Sequence, residues 1–166
     1  MTDHPEAVEQ AWRIHAALVD WTGKVDSKAS FTLTIQSAVL AGIVTLTGTG
    51  HHLHGLRGAT VDGFFWVGIA VLILGVLASA SVVAPRVRRN KMGEEWRQNF
   101  IFFGHLKDWE PDDLTAALSQ RDILPVLSRQ LVVMSKIAWQ KHEQVQISMW
   151  SGAFGTLLVF VAYALK

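Results

Sequence analysis

Three long apolar runs constrain the fold of this chain more than any other feature of its sequence. They cover residues 29–47, 64–84 and 147–165, and each has about the 20 residues that a helix needs to cross about 30 Å of hydrocarbon. The 166 residues are 50% hydrophobic and only 17% charged, whereas about a quarter of an average soluble domain is charged. A soluble protein of this size would have to bury three complete helices. The sequence therefore predicts an all-α integral membrane protein with three transmembrane helices.

Basic residues near the ends of the runs indicate the orientation. Most of them lie on one side of the predicted membrane. They are Arg13, Lys24 and Lys28 before the first run, Arg86, Arg88, Arg89 and Lys91 after the second, and Lys136 and Lys141 before the third. The opposite ends have only Arg57 and Lys166. The positive-inside rule then predicts a cytoplasmic N-terminus, an external loop at residues 48–63 and an external C-terminus. Because a long polar segment precedes the first run, we expect no cleaved signal peptide.

The polar segments before the first and third runs have helical periodicity. Apolar side chains recur at steps of three and four residues from Val8 to Val25 and again from Leu124 to Val145. Either helix can continue directly into the span that follows it. We therefore expect two of the transmembrane helices to extend into a cytoplasmic helical bundle built from residues 1–28 and 85–146, with a further short helix beginning at Pro111.

Composition and motifs argue against several functions. The absence of cysteine excludes disulfides, thiolate metal sites and cysteine nucleophiles. His51, His52 and His54 lie close together but lack the spacing that defines a metal site. No phosphate-binding loop or catalytic motif is present, and a net charge of +1 gives no case for nucleic-acid binding. We expect no enzymatic activity, no metal and no cofactor.

Three polar or aromatic clusters remain as candidate sites. Asp26 and Lys28, close to Trp21, either anchor a helix end at the lipid headgroups or hold a small polar ligand. The basic cluster that contains Arg88 either sets topology and contacts anionic lipid or binds a phosphate. The aromatic segment 102–105 either packs or stacks on a nucleobase.

Small and polar residues inside the spans indicate close helix packing. Gly152, together with Ser148 and Thr156, gives small residues at four-residue spacing. Thr32 and Gln36 belong to a polar stripe on the first span, and Gln36 requires a hydrogen-bonding partner or water. Thr32, Gln36 and Gly152 are therefore candidates for pore lining or helix packing, and we expect a homo-oligomer.

Taken together, these residues resemble the membrane effectors of Pycsar, a bacterial antiphage system that signals with cyclic pyrimidine nucleotides. The resemblance extends from about Trp12 to the last span. The segments that carry it are Trp21 with Asp26-Ser27-Lys28-Ala29-Ser30, Pro85 with the basic residues after it, Ile101-Phe102-Phe103-Gly104-His105, and the polar helix with Gln130, Lys136 and Lys141.

The resemblance implies a specific function. A partner cyclase makes cyclic UMP or cyclic CMP on infection, the effector binds it, and loss of inner-membrane integrity causes abortive infection. On this hypothesis residues 1–28 and 85–146 form the sensor, and the candidate ligand contacts are Lys28, Arg88, Lys136 and Lys141 for the phosphate, Trp21 and Phe103 for stacking, and Asp26 and His105 for base or ribose. The alternative is a holin-like pore former or an accessory subunit whose cytoplasmic helices bind a protein.

Overall fold

The structure, a computed structural model, describes residues 5–48, 59–84 and 96–165. In chain order it contains α1 (Pro5–Thr47), α2 (Ala59–Val83), a short 3-10 helix (Trp96–Gln98), α3 (Phe103–Leu106), α4 (Pro111–Gln120) and α5 (Ile123–Ala164). Helix accounts for 91% of the described residues, and none of them is in a strand. The predicted all-α class is confirmed.

Three of the helices, α1, α2 and α5, are long and apolar enough to cross a membrane. α1 has 43 residues and α5 has 42, so each continues without a break from a polar segment into an apolar run, as the sequence predicted. α2 begins at Ala59, five residues before the start of the predicted span at residues 64–84. The extra residues belong to the helix because Val61 is buried in the same apolar cluster as Phe65.

The chain divides into two compact units. One comprises residues 1–23 and 85–139 and is called the polar unit, and the other comprises residues 24–84 and 140–166 and is called the apolar unit. The division falls inside α1, between Gly23 and Lys24, and inside α5, between Trp139 and Gln140. α1 and α5 therefore each contribute to both units along an uninterrupted helix.

In the apolar unit, the buried residues of α2 and α5 follow a repeat of alternating three- and four-residue steps, and those of α1 recur at steps of four and seven residues, which fit the same repeat. This spacing gives left-handed, coiled-coil-like packing between helices. The buried positions, which we call the seam, are Val25, Ala29, Gln36 and Ile43 on α1, Val61, Phe65, Gly68, Leu72, Gly75, Ser79 and Val82 on α2, and Val145, Ser148, Gly152, Gly155, Val159 and Ala162 on α5. Large apolar side chains such as Phe31, Trp66 and Phe160 are exposed, as expected for helices that face lipid.

In the polar unit, the segment before α3 is held to the ends of α4. Trp109 Nε1 donates a hydrogen bond to the Asn99 carbonyl oxygen over 3.2 Å, and the Trp109 ring meets the edge of Phe100 with centroids 6.2 Å apart. Arg121 donates to the Arg97 carbonyl oxygen over 2.7 Å. α4 begins at Pro111 with acidic residues in its first turn, as predicted. These contacts fix the position of the aromatic segment that follows Asn99.

Candidate functional site

A buried polar layer crosses the seam of the apolar unit at Gln36. Gln36 is 4% exposed, and its Nε2 donates hydrogen bonds to the Ser148 carbonyl oxygen over 2.8 Å and to Ser148 Oγ over 3.3 Å. Ser148 Oγ donates to the Gly75 carbonyl oxygen over 2.7 Å and lies 2.5 Å from Ser79 Oγ. Because the Ser148 hydroxyl has only one proton, Ser79 is the donor in that last pair. The layer therefore joins α1, α2 and α5 through side chains and backbone carbonyls.

Glycine makes this layer possible. The side chain at position i+4 of a helix normally covers the carbonyl of residue i, and Gly152 leaves the Ser148 carbonyl uncovered. A Cβ atom on Gly152 would lie 3.0 Å from Gln36 Cδ, and one on Gly75 would lie 3.1 Å from Gln36 Nε2. Both distances are closer than carbon normally approaches these atoms. Gln36 thus occupies a slot that a side chain at residue 75 or 152 would crowd.

α2 and α5 also approach each other closely at a second pair of glycines. A Cβ atom on Gly68 would lie 2.9 Å from the Gly155 carbonyl oxygen, and one on Gly155 would lie 2.7 Å from the Leu72 nitrogen. Close backbone approach at small residues is a principal source of helix association in membranes. The two helices therefore form a tightly packed pair.

An ion pair lies at one end of the apolar unit. Lys141 Nζ donates to both carboxylate oxygens of Asp26, over 2.6 and 2.8 Å. The Lys141 side chain is 17% exposed and the Asp26 side chain 40%. Ser81 of α2 also donates a weaker hydrogen bond of 3.5 Å to Gln144 of α5. The pair satisfies two charges that would be unfavourable near lipid if either stood alone.

In the polar unit, one aromatic ring of the 102–105 segment is packed and the next is exposed. The Phe102 ring lies over Gly104, where a Cβ atom would come within 3.0 Å of Phe102 Cδ1, and it meets the edge of His105 with centroids 5.5 Å apart. Phe103 is 72% exposed. His105 Nδ1 is buried and has no hydrogen-bond partner among the described residues. The segment therefore has one exposed ring, that of Phe103, and one packed ring, that of Phe102, which also contacts His105.

Comparison with known protein families decides the classification. A family model described as the Pycsar effector protein domain matches residues 10–166. The chain belongs to the Pycsar effector family. No curated protein and no solved structure gives a significant match. This Pycsar effector is thus an antiphage defence protein, and its three apolar helices make it a membrane protein. Family membership implies a cyclic nucleotide signal from a partner cyclase.

The predicted ligand contacts of this Pycsar effector fall into two groups. Trp21, Phe103, His105 and Lys136 belong to the polar unit, whereas Asp26, Lys28 and Lys141 belong to the apolar unit. The structure joins Asp26 with Lys141, and it brings Phe103 and His105 onto the same Phe102 ring, with Phe102 and Phe103 centroids 4.5 Å apart.

The remaining candidates are exposed or not described. Trp21 is 54% exposed, and Lys28 and Lys136 are exposed as well. Among the described residues, no hydrogen bond, ion pair or ring contact connects Trp21 or Lys136 to another candidate. Arg88 and the three histidines of the 48–63 loop lie outside the described residues. The ligand-binding roles of all eight residues stay predictions.

Of the three predicted pore-or-packing residues, Gln36 and Gly152 lie in the seam and Thr32 does not. Gln36 and Gly152 pack against each other, while the Thr32 hydroxyl donates to the Lys28 carbonyl oxygen of its own helix over 2.9 Å. Ser79 was missed by the sequence analysis. The pattern could have indicated it, since Ser79 follows Gly75 by four residues, the spacing of small residues already noted on α5.

Proposed function

We propose that this Pycsar effector binds cyclic UMP or cyclic CMP through its polar unit and then impairs the inner membrane through its apolar unit, which causes abortive infection. The protein acts as a ligand-controlled effector without enzymatic activity or a cofactor. The polar unit and the N-terminus lie in the cytoplasm, where the partner cyclase releases its product, and the C-terminus is external.

The observation that carries this proposal is the continuity of α1 and α5. Trp21 and Lys136, two candidate ligand contacts, lie on the same uninterrupted helices that supply two of the three candidate spans. A helix resists bending between its ends because each turn is hydrogen-bonded to the next. A rotation or shift that a ligand imposes on either helix in the polar unit is therefore transmitted along it into the apolar unit.

The exposed groups of the polar unit match the chemistry of a cyclic mononucleotide. Phe103 and Trp21 offer aromatic faces for a pyrimidine, and each base–aromatic stack contributes about 1–3 kcal/mol. Lys136 offers an exposed cation for the single phosphate, and His105, whose buried Nδ1 has no hydrogen-bond partner among the described residues, is a candidate contact for base or ribose. Arg88, which lies outside the described residues, is a further candidate phosphate contact.

Activation requires the nucleotide to bind the leaky state more tightly than the closed one. A ligand with equal affinity for both states would not change the ratio of leaky to closed protein, however tightly it bound. The proposal therefore predicts tighter binding in variants whose seam is weakened, because the energy needed to open the seam no longer opposes binding. We expect the active form to be a homo-oligomer.

Calorimetry on the detergent-purified full chain with cyclic UMP, cyclic CMP and cyclic AMP tests the binding step. We expect saturable binding of one pyrimidine nucleotide and much weaker binding of cyclic AMP. The same protein in phosphatidylethanolamine and phosphatidylglycerol vesicles should release a trapped dye only when that nucleotide is added. Failure to bind either pyrimidine nucleotide, with leakage in their absence, would contradict the proposal and favour a holin-like pore former.

A further inference from the structure

The three helices of the apolar unit are not held together in the same way. α2 and α5 meet backbone to backbone at Gly68 and Gly155. The same two helices are joined by the hydrogen bond from Ser148 Oγ to the Gly75 carbonyl oxygen and by the Ser79–Ser148 contact. α2 and α5 therefore form a close pair where residues 68–79 of α2 meet residues 148–155 of α5.

α1 is attached to that pair differently. Its polar contacts to α5 include the Asp26–Lys141 ion pair and the hydrogen bonds of Gln36 to Ser148. None of the glycines that α1 contributes to the described structure approaches another helix, since a Cβ atom on Gly23 or Gly42 would meet nothing within 4 Å. α1 thus makes no glycine contact of the kind that joins α2 with α5; it packs through apolar side chains such as Val25 and Ile43, and its long polar side chains reach across to α5.

We propose that α1 is the helix that moves on activation, and that the leak path opens along the seam between α1 and the α2–α5 pair of a single subunit. This inference rests on the proposed function, because it names the route by which that function damages the membrane. α2 and α5 stay together while Gln36 leaves its slot and Asp26 separates from Lys141.

The chemistry of the seam supports this route. Separation of α1 breaks hydrogen bonds that have no replacement in hydrocarbon, so the parted seam is stable only if water enters it. The uncovered groups can bind that water: the amide of Gln36, the hydroxyl and carbonyl of Ser148, and the charges of Asp26 and Lys141. The opposite separation, of α2 from α5, would also open the glycine contact and lose its dense packing. Of the two separations, only that of α1 opens a path lined by polar groups without breaking the glycine contact.

Two cysteine pairs distinguish the two separations, and the natural chain has no cysteine to interfere. Gln36→Cys with Gly152→Cys joins α1 to α5, because a Cβ atom at 152 lies 3.1 Å from Gln36 Cγ, the position that a cysteine sulfur takes. Ser79→Cys with Ser148→Cys joins α2 to α5, because the two Oγ atoms are 2.5 Å apart. Each variant is compared with itself, oxidised and reduced, in the dye-release assay, and thiol titration measures the extent of crosslinking.

For the first pair, we expect nucleotide-triggered dye release to fall at least about tenfold on oxidation, since a covalent bond then opposes the opening of the seam. For the second, release should stay within about twofold of the reduced form, since the crosslinked helices do not separate. The inference would be overturned if the Ser79/Ser148 crosslink blocked dye release, or if dye release persisted with the Gln36/Gly152 crosslink in place. The latter result would place the leak between subunits or in the bilayer.

A single variant checks the same inference without a crosslink. Ser148 is fully buried, so Ser148→Cys should react with a water-soluble maleimide several-fold faster after the nucleotide is added. An unchanged rate in protein that binds nucleotide and releases dye would count against the route. Absence of binding and release in the unsubstituted chain, in contrast, would refute the proposed function itself.

Discussion

Gln36 fills the space beside Gly152 so completely that a Cβ atom on Gly152 would lie 3.0 Å from Gln36 Cδ and 3.1 Å from Gln36 Cγ. The contact leaves the Ser148 carbonyl open to the Gln36 amide, which donates to it over 2.8 Å. A polar residue at a buried position of a 3.5-residue repeat specifies helix register at some expense in stability. The Gln36–Gly152 contact therefore fixes how α1 sits on α5 within the apolar unit.

Gly152→Ala should destabilise the apolar unit by about 1–3 kcal/mol, because the added methyl group overpacks the slot and displaces Gln36. Thermal unfolding in detergent measures the change. Gly42→Ala is the matched control, since a Cβ atom there meets nothing within 4 Å. Equal effects of the two substitutions would show that the slot has no role. Adding Gln36→Ala to Gly152→Ala should recover part of the lost stability because it removes the clash.

Gln36→Ala alone should lower the free energy of unfolding by about 1–3 kcal/mol, since it removes the amide from a buried layer. It should also raise dye release in the absence of nucleotide, because α1 loses one of its polar attachments to α5. Ser37→Ala, an exposed neighbour on the same helix, is the control and should change neither quantity. If Gln36→Ala changed neither the free energy of unfolding nor the dye release, the main support for a seam held by polar contacts would be lost.

The Asp26–Lys141 ion pair should behave as a coupled unit. Asp26→Asn and Lys141→Met should each destabilise the protein, and the double substitution should reveal a coupling energy of about 0.5–3 kcal/mol. The exchange Asp26→Lys with Lys141→Asp should retain more stability than either charge reversal alone. Glu143→Gln, at an exposed carboxylate on α5, is the control for loss of an acidic group. Strict additivity in denaturation experiments would mean that the pair contributes nothing to the closed state.

The sequence alone predicted the elements of the fold because membrane spans are specified by local composition. The three runs and the continuity of α1 and α5 follow from length and periodicity. The requirement of Gln36 for a partner also followed, from the unfavourable energy of a bare amide in hydrocarbon. The identity of that partner did not, since Ser148 is 112 residues away and their meeting depends on how two helices align.

The sequence alone also could not predict which charged residues form an ion pair or which aromatic rings are exposed. Lys141 was predicted to contact the phosphate and Asp26 the base or ribose, and the sequence does not show that the two residues neutralise each other. Phe102 and Phe103 are adjacent and chemically identical. Only the structure shows that the Phe102 ring packs over Gly104 and that the Phe103 ring is exposed.

That difference between the two phenylalanines gives the sharpest test of the ligand site. Phe103→Ala should weaken binding of the pyrimidine nucleotide by about 1–3 kcal/mol, as expected for loss of one base stack, and should leave the melting temperature nearly unchanged because the ring is exposed. Phe102→Ala should lower the melting temperature, because its ring packs on Gly104 and against His105. Calorimetry and thermal unfolding on the same preparations separate the two effects. If Phe103→Ala binds nucleotide as the natural chain does, the base is recognised elsewhere, and Trp21→Ala becomes the variant that decides whether an aromatic stack is used at all.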